Sequence, residues 1–372
     1  MRILHVITQL DKMYGAQRHV VESVRDHLVR QHECLVVSGE VGIASAEIEA
    51  MKVQVRHLPT LKNTYNIFSD ILAATSLQQI IKNYQPDIVI SHSSKAGIIT
   101  RIVCHIIKVP NIFTVHGWSF EKGTPWYQQI FGRFIERCLK PFSDSYFCVS
   151  HHTANFGKQV LRLDDKQVFV CPNMHKAANG NEEQVKLFNN VLMVACFRKQ
   201  KDHRTAIKAL KYIIDQKSLS NIHFTFAGDG PQRSYIEQLI QQYQLAPYIS
   251  LLGEVSDINH CYNHCDLVIL PTFYEGLPIA LIEAIQKHKP IIGTKVGGIA
   301  EIIEEGKNGN TIAVGDAIAL AKFIISYYQQ NKIIAFGQNS GHLYQTRYSY
   351  EKISITMNKV LEQALANSIF RH

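Results

Sequence analysis

The stretch Leu267-Val268-Ile269-Leu270-Pro271-Thr272-Phe273-Tyr274-Glu275-Gly276-Leu277-Pro278-Ile279-Ala280-Leu281-Ile282-Glu283-Ala284-Ile285 decides the fold. The apolar run Leu267–Pro271 reads as a buried strand, a glycine-bearing turn follows, and Ile279–Lys287 reads as a helix with Pro278 at its start. A strand that enters a helix through a short turn is half of a crossover unit, and crossover units build parallel sheets. Glycine in such a turn lets a ligand approach the backbone closely, and the free N–H groups of the helix start suit phosphate oxygens. Glu275 and Glu283 do not share a helical turn: the first sits in the loop, the second inside the helix. A carboxylate placed like Glu283 can accept hydrogen bonds from paired hydroxyl groups. Taken alone, the pair also fits a capping carboxylate and a solvated helix face.

Outward from this unit, strand-like runs alternate with amphipathic segments along the chain. One series comprises Ile3–Thr8, Cys34–Ser38, Gln54–Leu58, Ile88–His92, Asn111–Val115, Ser145–Val149 and Val168–Cys171. A second comprises Asn190–Ala195, His223–Ala227, Ile249–Leu252, Leu267–Pro271, Ile291–Thr294 and Thr311–Val314. Each series is long enough for its own sheet. An α/β fold of two Rossmann-like domains follows, in keeping with a length of 372 residues. The predicted divisions are an N-terminal domain over 1–173, a linker over 174–189, a C-terminal domain over 190–345 and a terminal segment over 346–372. The linker carries the polar run Asn179-Gly180-Asn181-Glu182-Glu183. The terminal segment contains a helix, Ser349 to Ala366, with Ile353, Met357, Val360, Leu361 and Ala364 on one side. Ligands bind beyond the carboxyl ends of strands in open parallel sheets, so two sheets with facing ends make a cleft.

Hydrophobic residues make up 46% of the chain and charged ones 19%, which excludes long disorder. The net charge of +8 is spread over both halves, without the sharp basic patch of a nucleic-acid binder. Mild basicity suits phosphate-bearing small molecules or an anionic membrane surface. The eight scattered cysteines read as reduced thiols of a cytosolic protein. Arg2 to Ile7 already reads as a strand, so no leader is expected, and no apolar run reaches the roughly 18 residues of a membrane span. Membrane contact would be peripheral. Its candidate is the aromatic stretch Trp118, Phe120, Trp126, Tyr127 and Phe131 with Arg133, Arg137 and Lys140 nearby: a core helix explains part, an exposed acceptor or membrane surface the Trp-Ser-Phe-Glu-Lys and Pro-Trp-Tyr pieces. His260-Cys261-Tyr262-Asn263-His264-Cys265 has the residue types of a metal cluster. Packing accounts for it better, because Cys261 and Cys265 share an apolar helix face and no second ligand pair follows. His92 fits either a ligand-facing residue or a helix cap; His116, beside Gly117 at a strand end, fits a ligand loop.

Glu275 through Glu283 resembles the E-x7-E signature of retaining GT-B glycosyltransferases, the family-four or "group 1" class. The resemblance covers nearly the whole chain. Val194–His203 is similar to the family's strand and phosphate segment, Phe226-Ala227-Gly228-Asp229-Gly230-Pro231 to its glycine-rich turn, and Leu252-Gly253-Glu254-Val255 to its base-holding loop. Gly297-Gly298-Ile299-Ala300-Glu301-Ile302-Ile303, then Gly306 and Asn308-Gly309, match a further family segment. Ser91–Gly97 and Phe113–Trp118 look like hallmarks of bacterial polysaccharide-assembly transferases, and Pro172-Asn173 resembles the start of the interdomain linker.

The resemblance implies roles by position. Glu283 binds the donor ribose hydroxyls, Glu275 lies beside the transferred sugar, and the backbone at Gly276, Leu277 and Pro278 faces sugar and diphosphate. Lys201 offsets charge on the leaving diphosphate. Gly228 lines the donor site, Glu254 and Val255 flank the base, and His116 contacts sugar or leaving group from the acceptor side. Two positions depart from the pattern. Cys196 stands where the family has a diphosphate-gripping arginine, with Arg198 two residues on as a substitute; and Tyr14 replaces the first glycine of the loop Tyr14-Gly15-Ala16-Gln17, leaving Gly15 to present N–H groups to phosphate. The expected reaction is retaining transfer of a hexose-type sugar from a UDP-linked donor to a lipid-linked saccharide or growing surface polysaccharide, at the cytoplasmic face of the plasma membrane. No cofactor, metal or nucleic acid is expected. The alternatives are a degraded GT-B partner subunit, motivated by Cys196 and Tyr14, and a GT-B sugar-nucleotide epimerase. The first loop, Gln9–Gln17, lacks G-x-G-x-x-G, which argues against an NAD-dependent dehydrogenase.

Overall fold

The computed structural model describes residues 1–64, 66–176, 189–219 and 221–369. The chain forms two compact units, Met1–His175 with Tyr350–His372, and Lys176–Ser349. Most of the expected linker, including Asn179 to Glu183, lies outside the described residues.

In the first unit the chain runs through β1 (Arg2–Leu10), α1 (Gly15–Val29), β2 (Glu33–Val41), α2 (Ile43–Ala50), β3 (Gln54–His57), α3 (Ile67–Tyr84) and β4 (Ile88–Ser91). It continues through α4 (Ser94–Ile107), β5 (Asn111–Val115), α5 (Trp126–Leu139), β6 (Ser145–Cys148), α6 (His151–Leu161) and β7 (Val168–Val170). The sheet is parallel, in the order β3-β2-β1-β4-β5-β6-β7. Its strands are apolar on both faces because helices cover both: Leu4, Val6, Val37 and Val89 are buried with Leu77 and Ile81 of α3 and Ala96 and Val103 of α4.

The second unit contains β8 (Asn190–Val194), α7 (His203–Asp215), β9 (His223–Ala227), α8 (Arg233–Gln242), β10 (Ile249–Gly253), α9 (Ile258–Asn263) and β11 (Leu267–Leu270). Then come α10 (Ile279–Gln286), β12 (Ile291–Thr294), α11 (Ile299–Ile302), β13 (Gly309–Ile312), α12 (Ala317–Gln329) and α13 (Lys332–Leu343). This sheet is also parallel, in the order β10-β9-β8-β11-β12-β13. The last helix, α14 (Tyr350–Ile369), belongs to the first unit. It buries Ile353, Met357, Val360, Leu361 and Ala364, and Arg30 of α1 donates to Ser354 Oγ at 2.7 Å.

In each sheet the strand order reverses once in a way that places a ligand: at β1/β4 in the first unit and β8/β11 in the second. Loops that leave such neighbouring strands in opposite directions open a crevice beyond the strand ends. His92 follows β4 at the first reversal; Ala195–Lys201 and Pro271–Pro278 flank the second.

Three expectations are corrected. Trp118, Phe120 and Glu121 are buried rather than exposed: the Trp118 indole donates to the Thr153 carbonyl at 2.8 Å, and the Phe120 ring packs at a tilt against it and against Phe156. Ser119, Lys122 and Gly123 are exposed, but the exposed aromatic side chains begin at Trp126. Cys261 and Cys265 do not share a helix face, since α9 ends at Asn263; both are buried, and the Cys265 thiol bonds to the Tyr262 carbonyl. The last strand is Gly309–Ile312 rather than Thr311–Val314. Gly309 reads as a turn residue, yet it lies in the ladder, because a Cβ there would fall 1.9 Å from the Ile291 carbonyl oxygen.

Candidate donor site and a buried histidine cluster

Three strand ends of the second unit are knit by glycines. Gly228 follows β9 with φ +143°, and a Cβ there would lie 2.1 Å from the Ala195 carbonyl oxygen. Gly230, at φ +157°, also stands against the loop, where a Cβ would lie 2.7 Å from the Phe197 carbonyl oxygen. The Gly228 N–H donates to Gly253 at the end of β10 at 2.8 Å, and the Phe197 N–H to Asp229 at 3.0 Å. The loop after β8 therefore lies flat against the turn after β9.

The same loop is tied to the one after β11. Asp202 N–H donates to the Pro271 carbonyl at 3.0 Å, and Phe273 N–H to Gln200 at 2.9 Å. Thr272 Oγ1 bonds to the Gln200 carbonyl at 2.9 Å, and Gln200 Nε2 to that of Tyr274 at 2.7 Å. These ties bring Lys201 Nζ onto Glu275 Oε1 as an ion pair, with Thr272 Oγ1 3.3 Å from the same carboxylate oxygen. Glu275 is 8% exposed, so it has little contact with water and meets the Lys201 ammonium instead. His203, on the first turn of α7, donates from Nδ1 to the Lys201 carbonyl at 3.0 Å. Its ring lies edge-on to Phe197 and Phe226, and burial pushes its pKa down to about 4.

Glu275 and Gly276 are held from the other side by Gly297 and Gly298, which follow β12. Gly297 has φ +53°, and a Cβ on it would sit 1.7 Å from the Glu275 carbonyl oxygen. The Gly298 N–H donates to the Gly276 carbonyl at 2.7 Å. Leu277 is buried, and Pro278 occupies the cap position of α10. Glu283, one turn into α10, is buried, and the Tyr262 hydroxyl lies 2.9 Å from both its Oε2 and the Ala280 carbonyl.

The remaining donor candidates border this centre. Arg198 is exposed on the β8 loop, and its charge acts on the Tyr274 phenol, whose pKa is raised by burial and by Glu275 and lowered by Arg198. Cys196 donates its thiol to the Asp229 carbonyl at 3.0 Å and brings no charge. Glu254 is exposed and Val255 half-buried beyond β10. Tyr262 and the Gly297 clamp were not anticipated in these roles. The Gly297-Gly298 pair, directly after a strand-like run, was the available signal for the clamp; nothing local marked Tyr262 as the partner of Glu283.

Gly15 and His116 belong to the first unit. Gly15 opens α1, with no atom within 4 Å of a Cβ built on it, so its backbone is accessible. His116 follows β5 and joins a group of histidines. Its ring lies 4.9 Å from that of His19 on α1, and His92 Nε2 is 2.9 Å from Nδ1 of His5 on β1. His27 of α1 stacks on His5. Burial pushes His5 down to about 3 and His19 to about 4, and it lowers His27, His92 and His116 as well. His92 bonds to His5 instead of capping α4, whose cap position is Ser93.

Two parallel Rossmann-like sheets, each with its candidate groups beyond the strand ends, define the GT-B architecture of glycosyltransferases. Residues 177–339 match the family model of glycosyl transferases group 1, and residues 13–175 that of glycosyltransferase family 4. The chain belongs to this glycosyltransferase family. It is 26% identical over 273 residues, 70% of each chain, to the UDP-Gal:alpha-D-GlcNAc-diphosphoundecaprenol alpha-1,3-galactosyltransferase of Escherichia coli. It is 24% identical, over 87% of each chain, to the Campylobacter jejuni GalNAc-alpha-(1->4)-GalNAc-alpha-(1->3)-diNAcBac-PP-undecaprenol alpha-1,4-N-acetyl-D-galactosaminyltransferase. The crystal structure of Anabaena Alr3699/HepE in complex with UDP-glucose superposes with a TM-score of 0.83 at 18% identity, covering 97% of this chain and 99% of that one. Among the described residues, no helix is long and apolar enough to cross a membrane.

Proposed function

We propose that this glycosyltransferase moves a hexose-type sugar from a UDP-linked donor to a lipid-linked or growing surface-polysaccharide acceptor, with retention of anomeric configuration. The observation that carries the reading is the Lys201–Glu275 pair at the β8/β11 reversal, with Glu283 fixed by Tyr262 on the adjoining helix. The two relatives named above, whose names specify diphosphoundecaprenol-linked acceptors, support the acceptor class. The UDP-glucose complex of the similar structure supports the donor class.

Lys201 offsets the charge that develops on the leaving diphosphate, the electrostatic contribution that usually dominates such a step. Arg198 supplies the second positive charge that Cys196 does not. Backbone groups of Gly276 and Leu277 and the start of α10 after Pro278 receive sugar and phosphate oxygens. Glu283 accepts from the ribose hydroxyls, Glu275 stands beside the sugar, Gly228 leaves room for the nucleotide, and Glu254 and Val255 flank the base. In the first unit, Gly15 offers open backbone to phosphate and His116 its ring to sugar hydroxyls. The test of stereochemistry is NMR of the product made from an α-linked donor: an α-glycoside is expected, and a β-glycoside would overturn retention. A second reading, a partner subunit with a degraded donor site, is favoured by the uncharged Cys196 alone. Calorimetry with UDP separates the two, since a subunit of that kind gives no heat of binding.

The acceptor reading includes a membrane surface. Trp126, Tyr127, Ile130, Phe131 and Phe134 of α5 are exposed, Trp126 to 73%, with Arg133 and Arg137 among them. An amphipathic helix with a basic border fits an anionic lipid surface.

A further inference from the structure

We infer that His19, His92 and His116 form a binding site for a zinc-class divalent cation, a site separate from the donor groups of the second unit. The three side chains come from different elements: His19 from α1, His92 from the residue after β4, His116 from the residue after β5. One ring nitrogen of each lies within 4.8 Å of one on each of the others. Among the described residues no other group of histidines, cysteines and carboxylates converges in this way.

Three features make the cluster ligand-competent. First, His19 Nδ1, His92 Nδ1 and His116 Nε2 are buried without any hydrogen-bond partner. An orphaned buried polar atom costs about 1–3 kcal/mol, and three in one place call for a ligand. Second, the three rings pack directly on one another, with centroids 5.6 Å apart for His19 and His92, 4.9 Å for His19 and His116, and 5.9 Å for His92 and His116. Third, the outer nitrogen of His92 is already engaged: Nε2 bonds to His5 Nδ1 at 2.9 Å, the kind of second contact that orients a ligating imidazole.

Imidazole nitrogens bind zinc at about 2.0–2.1 Å, so tetrahedral donors stand about 3.3 Å apart. The cluster is therefore a little wider than a loaded site and contracts on binding. Nitrogen donors select zinc or cobalt over magnesium or calcium. Three protein ligands leave one position open, and His116, the only one of the three that is not fully buried, marks the open side. Water or an anionic oxygen would fill it. A cation there engages Nε2 of His116, leaving only Nδ1 for a sugar hydroxyl.

The test is metal binding by the whole chain, which does not depend on turnover. Protein stripped with a chelator is titrated with Co2+, followed by visible absorption and native mass spectrometry, and its thermal melting is compared with and without Zn2+. One cobalt per chain, displaced by zinc, with a melting temperature raised by Zn2+ and not by Mg2+, is the expected result. His116→Ala and His19→Gln should lose the cobalt bands and the zinc shift, while His105→Ala, an exposed histidine of α4, should keep both. His116 is the least buried ligand, so its variant is the one expected to stay folded, as circular dichroism would verify. Absence of a cobalt spectrum in the folded wild type, an equal shift with Mg2+, or unchanged binding in folded His116→Ala would overturn the inference.

Discussion

Lys201 and Glu275 are 74 residues apart in sequence and meet as a nearly buried ion pair. Burying one such charge without the other is strongly unfavourable, so each residue fixes the other's position. Lys201 and Glu283 were legible because each stands in a motif of fixed spacing. Tyr262 was not, since a tyrosine inside an apparent Cys/His cluster gives no sign that it points to a helix two elements away. His203 illustrates the same limit. In sequence it is one more residue at a helix start; in the fold it is a buried neutral imidazole between two phenylalanines, bonded to the Lys201 carbonyl. Its folded pKa of about 4 lies below the ordinary 6.5, so the unfolded chain binds the proton more tightly. The stabilisation is complete above about pH 6.5 and is lost as pH falls toward 4, a difference of about 3 kcal/mol. Thermal melting of the second unit should therefore fall through that window, and His203→Phe should flatten the fall; an unchanged profile in the variant would contradict the assignment.

At the scale of elements, the turns after β9 and β12 are positioned by glycines packed against a neighbouring loop, Gly228 against Ala195 and Gly297 against Glu275. Gly297 against Glu275 is the tightest case. Gly297→Ala adds a left-handed backbone penalty of about 1–2 kcal/mol to a direct clash. The Glu275 loop must shift, and a displacement of an ångström at a reacting centre costs about 100-fold in rate. Turnover in this variant should drop by that order while the donor-free protein still folds, as seen by circular dichroism; near-normal turnover would show that the clamp does not position the loop. Strand positions were readable from apolar runs, but strand ends were not, because pairing decides them: Gly309 is in the sheet since only glycine fits beside Ile291. Likewise, Trp118 and Trp126 look alike in sequence, and the ring contacts of Trp118 with Phe113, Phe120 and Tyr146, together with its indole bond to Thr153, separate the buried one from the exposed one. The exposed face of α5 leads to a further expectation. Flotation with anionic vesicles should carry the protein, Trp126→Ser with Phe134→Ser should abolish this, and equal flotation with neutral vesicles would argue against the basic border of the helix.

At the scale of the molecule, the alternation of strands and helices was enough to give two parallel sheets, because crossover connections leave few other topologies. It did not reveal that the order reversals fall at β1/β4 and β8/β11, beside the candidate groups, for strand order is set by packing rather than by sequence order. The two reversals hold different equipment: a lysine–carboxylate pair with glycine turns in the second unit, and neutral histidines in the first. The central claim is that the second unit's equipment binds and activates a nucleotide-sugar donor. It is tested most directly by measuring transfer from a panel of UDP- and GDP-sugars to an undecaprenyl-diphosphate-linked saccharide, with wild type, Lys201→Ala and Glu283→Ala side by side. Turnover of at least one UDP-sugar by the wild type is expected, with a loss of about 100-fold or more in kcat for Lys201→Ala. For Glu283→Ala the expected loss is concentrated in KM for the donor. Full activity in both variants would contradict the claim.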